Sequence, residues 1–133
     1  MLLMLCTGHV SEDQHRAGAL DRDRGVLQAA GGADLAPRPW QHAGQPASDA
    51  DLVRLAAWSA RDAGVEPAVL TAGLRLLGSA RAELDQIEAA LLFAARSAGL
   101  TFQQIGEALG LGSGQAAQQR MIRVLTRLES QDR

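Results

Sequence analysis

The chain has 133 residues, 47% of them apolar, with a formal net charge of −2 and one cysteine. That length suits one domain of ordinary size with a short appendage. Lone Cys6 excludes an internal disulfide framework, and the charge excludes a globally basic nucleic-acid binder while leaving room for a local positive field.

Two Phe, two Trp and no Tyr mean that a core has to be built from Leu, Val, Ile and Ala on close-packed helices. All 13 basic residues are arginine, the side chain suited to phosphate and guanine contacts. The opening "MLLMLC" has no basic residue before it and is too short for a membrane-directed segment. A cytoplasmic protein without membrane contact is expected. Next, "SEDQ" at 11–14 reads as a capping box and predicts a helix over 12–30, weakened by Gly18 and Gly25. Residues 31–47, "GGADLAPRPWQHAGQPA", have the composition of an extended, mobile linker, in which Trp40 is the one side chain suited to docking. The expected organisation is therefore an N-terminal segment at 1–30, a linker at 31–47 and a helical domain at 48–133.

Ser48 or Asp49 can cap a helix over 48–63, with Leu52, Leu55, Ala56 and Ser59 at helical spacing and Gly64 at its end. Pro67 suits a first turn, so a short helix is predicted over 68–77, stopped by Gly78. Ser79 then caps the longest helix, over 80–98. Leu84, Ile87, Leu91, Ala94 and Ala95 form its stripe, and Leu92 and Phe93 widen that stripe to a nearly all-round apolar end. Such a helix is expected to be central and covered on several sides, with Glu83, Asp85 and Glu88 as its wet face. Gly99 ends it. No run alternates with period two for long enough to make a strand, so the class is all-α.

Thr101 and Gln104 form a second capping box, with Leu100 and Ile105 placed as its hydrophobic staple. The helix they open can run only to Leu109, because Gly110 is placed for a left-handed cap. Gly106 in its middle costs about 1 kcal/mol against alanine, which is tolerable where another helix must approach closely. A further helix follows Gly112, capped by Ser113. Its inner face is Ala117, Met121, Val124, Leu125 and Leu128; Gln115, Gln119, Arg123 and Thr126 lie opposite, with Arg120 and Arg127 on a flank. No acidic residue falls between Glu107 and Glu129, and glutamine and arginine are the side chains that read adenine and guanine edges.

"AGLTFQQIGEALGLGSGQAAQQRMIRVL" resembles the helix-turn-helix proteins of bacteria, and is similar above all to the sigma-factor region 4 kind and related small regulators. Leu100 and Thr101 open the first helix, Ile105 faces inward, Gly106 takes the small-residue position, Leu109-Gly110-Leu111 the turn, and Ser113 onward the second helix. Placing Ala117 at the inward aliphatic position makes Gly112 an extra turn residue. Placing Ala116 there removes the insertion but puts Arg120 where an apolar residue belongs, so the longer turn is preferred. The resemblance implies a small helical domain with a C-terminal helix-turn-helix that contacts duplex DNA through Ser113, Gln115, Gln118, Gln119, Arg120, Arg123 and Arg127. Gln115, Gln119 and Arg123 are the base-edge candidates. Arg120 and Arg127 would hold phosphates, helped by the amides of the helix starting at Gly114.

Other chemistry is weaker. Cys6, His9 and His15 have spacing C-x2-H-x5-H, but zinc wants four ligands and His42 lies in the linker. Ser11 and Ser113 read as caps rather than nucleophiles, since no histidine follows residue 47. Glycines 110, 112 and 114 follow no strand, so a phosphate-cradling loop is disfavoured. The expectation is a transcriptional regulator, not an enzyme, with no cofactor and no metal. Its partners are double-stranded DNA and a homodimer mate or transcription-complex partner, met through the N-terminal segment, the helix over 48–63 or Ile122. The alternative is an adaptor that grips a sigma factor, RNA polymerase or another regulator without DNA. The acidic total and the Leu91-Leu92-Phe93 end favour that reading.

Overall fold

A computed structural model describes residues 2–131, with side chains described from Ser11 onward. Among the described residues five α-helices follow one another: α1 (Leu2–Ala29), α2 (Asp49–Ser59), α3 (Pro67–Ser97), α4 (Phe102–Ala108) and α5 (Gly114–Gln131). One 3-10 turn, Gly32–Asp34, lies between α1 and α2, and no strand occurs among the described residues. The all-α class expected from the missing period-two pattern is the class observed. Among the described residues no helix is long and apolar enough to cross a membrane.

Three helix boundaries differ from the sequence expectation, and one of them is that α2 stops at Ser59, short of 63. α1 runs straight through Ser11 to Gln14, so "SEDQ" starts nothing: a capping-box sequence marks a start only where the chain before it leaves the helix. α3 likewise continues through Gly78 and Ser79 as one 31-residue helix. A single mid-helix glycine costs about 1 kcal/mol. Burial of Leu76 and Ala80 on either side, at 0% and 6% exposure, outweighs it. Ser79 does not cap; its hydroxyl bonds the Asp49 carboxylate of α2.

The chain divides into two compact units, Met1–Ala80 and Arg81–Arg133. In the first unit Leu27 of α1, Leu52 and Ala56 of α2, and Val69, Ala72 and Leu76 of α3 make one buried cluster. Ser48 caps α2, accepting the Asp51 amide at 3.2 Å. Arg24 clamps Asp49 with Nε at 2.7 Å and Nη2 at 2.8 Å, and reaches Asp21 at 2.7 Å. The Arg24 hydrogen bonds hold the Asp49 carboxyl below the usual aspartate range, opposed by burial and assisted by Ser79. Asp23 is buried and meets Arg75 at 3.4 Å.

The 31–47 segment is a series of turns. Gln41 accepts the Arg38 amide at 2.6 Å, Gln45 accepts the His42 amide at 2.9 Å, and Arg38 lies 3.5 Å from Asp51. Trp40 stays 79% exposed instead of docking. Of the metal reading, the Cys6 and His9 side chains lie outside the described residues. No group of three or more His, Cys, Asp or Glu that could hold a metal occurs within them.

Candidate functional site

The second unit holds the rest of α3 together with α4 and α5. Leu92, Ile105 and Ala117 form its buried centre, with Ala95, Phe102, Leu111 and Met121 packed around them. Each short connection is closed by the same device. Gly99 (φ 94°) ends α3, with the Leu100 amide on the Ala95 carbonyl and the Gly99 amide on Arg96. Gly110 (φ 71°) ends α4, with the Leu111 amide on the Gly106 carbonyl at 2.7 Å and the Gly110 amide on Glu107 at 3.1 Å. Both are Schellman caps, in which a left-handed glycine lets two amides satisfy the last carbonyls of the helix. Between them Thr101 and Gln104 complete the expected capping box at the start of α4.

The α4–α5 pair is held by two points of close approach. A Cβ on Gly106 would stand 2.7 Å from the Ser113 carbonyl oxygen, and one on Gly114 2.9 Å from the Gln103 nitrogen. Gly106 is therefore small for the reason its sequence position implies. Gly114 is a second such contact that the sequence did not single out. Ser113 caps α5 by accepting the Ala116 amide at 3.1 Å, and the Gln103 side chain reaches across to accept the Gly114 amide at 3.2 Å. Two amides expected to face a phosphate are thus already bonded within the protein.

Along α5, Ala117 and Val124 are fully buried, while Met121 and Leu128 are half-buried. Ala117 is the inward residue, as the preferred register expects, while Ala116 and Arg120 are half-buried. Leu125 was expected inside but is 45% exposed. One residue past Val124 it lies about 100° further round the helix, beyond the cover its neighbours provide. Ser113, Gln115, Gln118, Gln119 and Arg123 are all exposed on α5.

Arg120 and Arg127 are placed differently. Arg120 Nε donates to Glu88 Oε1 at 2.7 Å, and Arg127 Nη2 lies 3.4 Å from Asp85 Oδ1. Asp85 and Glu88 were expected on the wet face of α3. They are instead 18% and 20% exposed and tie α3 to α5. The signal was available, since positions 85, 88, 92 and 95 share one helical face with buried Leu92. Arg123 has no carboxylate within ion-pair distance among the described residues. Arg120, Arg123 and Arg127 together line a cleft of about 300 Å³.

The stripe predicted to be covered is largely bare. Leu84, Ile87, Leu91 and Phe93 are 57%, 49%, 66% and 69% exposed, and only Leu92 of that group is buried. Two helices cover the 85/88/92/95 face of α3, and nothing in the unit is left to cover the next face. Ile122, expected as an exposed contact, is 58% exposed. No protein-family model matches the chain, and neither a curated protein nor a solved structure matches it.

Proposed function

We propose that the chain is a DNA-binding regulator that uses α4 and α5 as a helix-turn-helix, with α5 entering the major groove. The observation that carries this is the exposed amide and guanidinium row of Gln115, Gln118, Gln119 and Arg123. It projects from a helix whose angle to α4 is fixed by two backbone contacts at Gly106 and Gly114. Amide and guanidinium groups make the bidentate contacts that distinguish adenine and guanine, and fixing the helix that carries them removes much of the ordering cost of docking. Ser113 at the head of α5 would face a backbone phosphate in that docking.

Filter retention of a randomised duplex pool at low salt, followed by sequencing of the retained fraction, tests the reading. Enrichment of one motif is expected. Gln119→Ala should relax preference at a single base pair by roughly 1–3 kcal/mol, whereas Arg123→Ala should weaken binding as well. Retention indistinguishable from an unrelated acidic protein would refute it.

A second reading is favoured by one observation, the bare Leu84, Ile87, Leu91 and Phe93 surface of α3. Apolar patches of this kind mark partner contacts, so an adaptor that binds a component of the transcription machinery without DNA is the alternative. Recovery of a stoichiometric partner after nuclease and high salt, together with no duplex binding, would select it.

A further inference from the structure

We propose that Asp85 and Glu88 act as built-in phosphate mimics for Arg120 and Arg127 of α5, so that they and a DNA backbone compete for the same two guanidinium groups. The inference rests on the DNA-binding reading for the identity of the competitor, but its geometry stands on the protein alone. Arg120, Arg123 and Arg127 recur at helical spacing of three and four and wall a single cleft of about 300 Å³. Arginine stems at this spacing keep their guanidinium groups within reach of one phosphate backbone, and each group offers a planar fork of donors matched to carboxylate or phosphate oxygens.

Two of the three are already engaged. Glu88 takes Arg120 at 2.7 Å and Asp85 takes Arg127 at 3.4 Å, both from α3. The guanidinium-bearing side chains remain 38% and 55% exposed while their carboxylate partners are only 20% and 18% exposed. The cations are thus open to an incoming phosphate but are held back by anions anchored on α3. An arginine spent in this way contributes little to sequence-independent attraction. Arg123 alone of the three has no carboxylate partner among the described residues, and selectivity rests on it and the glutamines. Local carboxylates thus lower the affinity for every duplex alike, which raises the weight of the base-reading contacts in the total.

The test compares Asp85→Asn/Glu88→Gln with Glu107→Gln/Glu129→Gln, whose exposed carboxylates carry the same charge change away from the cleft. Each guanidinium released to a phosphate adds about −0.9 to the slope of log affinity against log salt. The cleft variant should steepen the wild-type slope by roughly 2, which enlarges the loss between 50 and 200 mM salt by about tenfold. The charge-matched control should leave the slope unchanged. Equal slopes in the two variants overturn the proposal, because total charge alone would then explain any gain. If the double variant does not fold by circular dichroism, Glu88→Gln alone should steepen the slope by about 1. If no protein binds duplex, the DNA-binding reading fails and a heparin column decides the masking separately. Later elution of the cleft variant than of the control supports it, and coincident elution overturns it.

Discussion

Gly106 and Gly78 are both interior helix glycines, and alanine should move the stability of the protein in opposite directions at the two sites. At Gly78 a Cβ meets nothing within 4 Å, so Gly78→Ala collects the helix-propensity gain of about 0.5–1 kcal/mol. At Gly106 the same gain is available, but the new Cβ would lie 2.7 Å from the Ser113 carbonyl oxygen and 3.2 Å from its carbon. Backbone at the head of α5 cannot swing aside as a flexible side chain would, so α5 must move off α4. Overpacking of this kind costs about 1–3 kcal/mol. Displacement also loosens the contact of Ala117 with Ile105 and Leu92. The expected net loss for Gly106→Ala is about 1–2 kcal/mol. Urea denaturation followed by far-ultraviolet circular dichroism measures both variants against wild type. The slope with denaturant must stay constant for the midpoints to be read as stability. A Gly106→Ala midpoint at or above that of wild type would refute the claim that the elbow is held by backbone contact. A matching loss at Gly78 would show that glycine content, not geometry, governs both sites.

Asp49→Asn removes a carboxylate that Arg24 clamps twice and should cost about 2–4 kcal/mol in the first unit, since Arg24 is left with a weaker partner. In the wild-type protein the Asp49 carboxyl is held low by Arg24, so the unfolded chain takes up that proton first as acid is added. The contribution is complete above roughly pH 5 and is lost progressively below it. A pH series of urea midpoints should show the difference between wild type and Asp49→Asn shrinking from pH 6 to pH 3, and a difference independent of pH would contradict the assignment. Thr101→Ala breaks the capping box of α4 and should cost about 1 kcal/mol, with faster amide exchange at Gln103 and Gln104 than at Val124. Arg123→Lys keeps the charge but loses the bidentate fork, so it should retain the salt slope of wild type while losing base preference in the duplex selection.

Local signals were legible where backbone chemistry decides the outcome. Ser48, Thr101 and Ser113 cap the helices their positions suggest, and Gly99 and Gly110 take the left-handed conformation. Ala117 and Val124 face inward as helical spacing requires. What escaped depends on counting partners that a single helix does not reveal. The stripe of Leu84, Ile87 and Leu91 reads as core by periodicity, yet the unit supplies helices for only one face of α3, and that face is the one bearing Asp85, Glu88 and Leu92. The two carboxylates looked like a solvated edge because their arginine partners lie 32 residues away for Glu88 and at position 127 for Asp85. Gly78 read as a stop because its local cost is visible in the sequence, while the burial that outweighs it is not. In the candidate site, Gln115, Gln119 and Arg123 are exposed on the face that helical spacing assigns them, and the engagement of Arg120 and Arg127 could only come from tertiary contact.

Helix α4 has seven residues, about two turns, far below the length at which a helix persists alone in water. Its start depends on Thr101 and Gln104, its finish on Gly110, and its inner surface on residues that come later in the chain. A nascent polypeptide therefore cannot settle α4 until α5 has been synthesised far enough to place Ala117 against Ile105. A stop codon anywhere before that point should abolish both helices together, leaving the truncated product prone to proteolysis from about residue 100 onward.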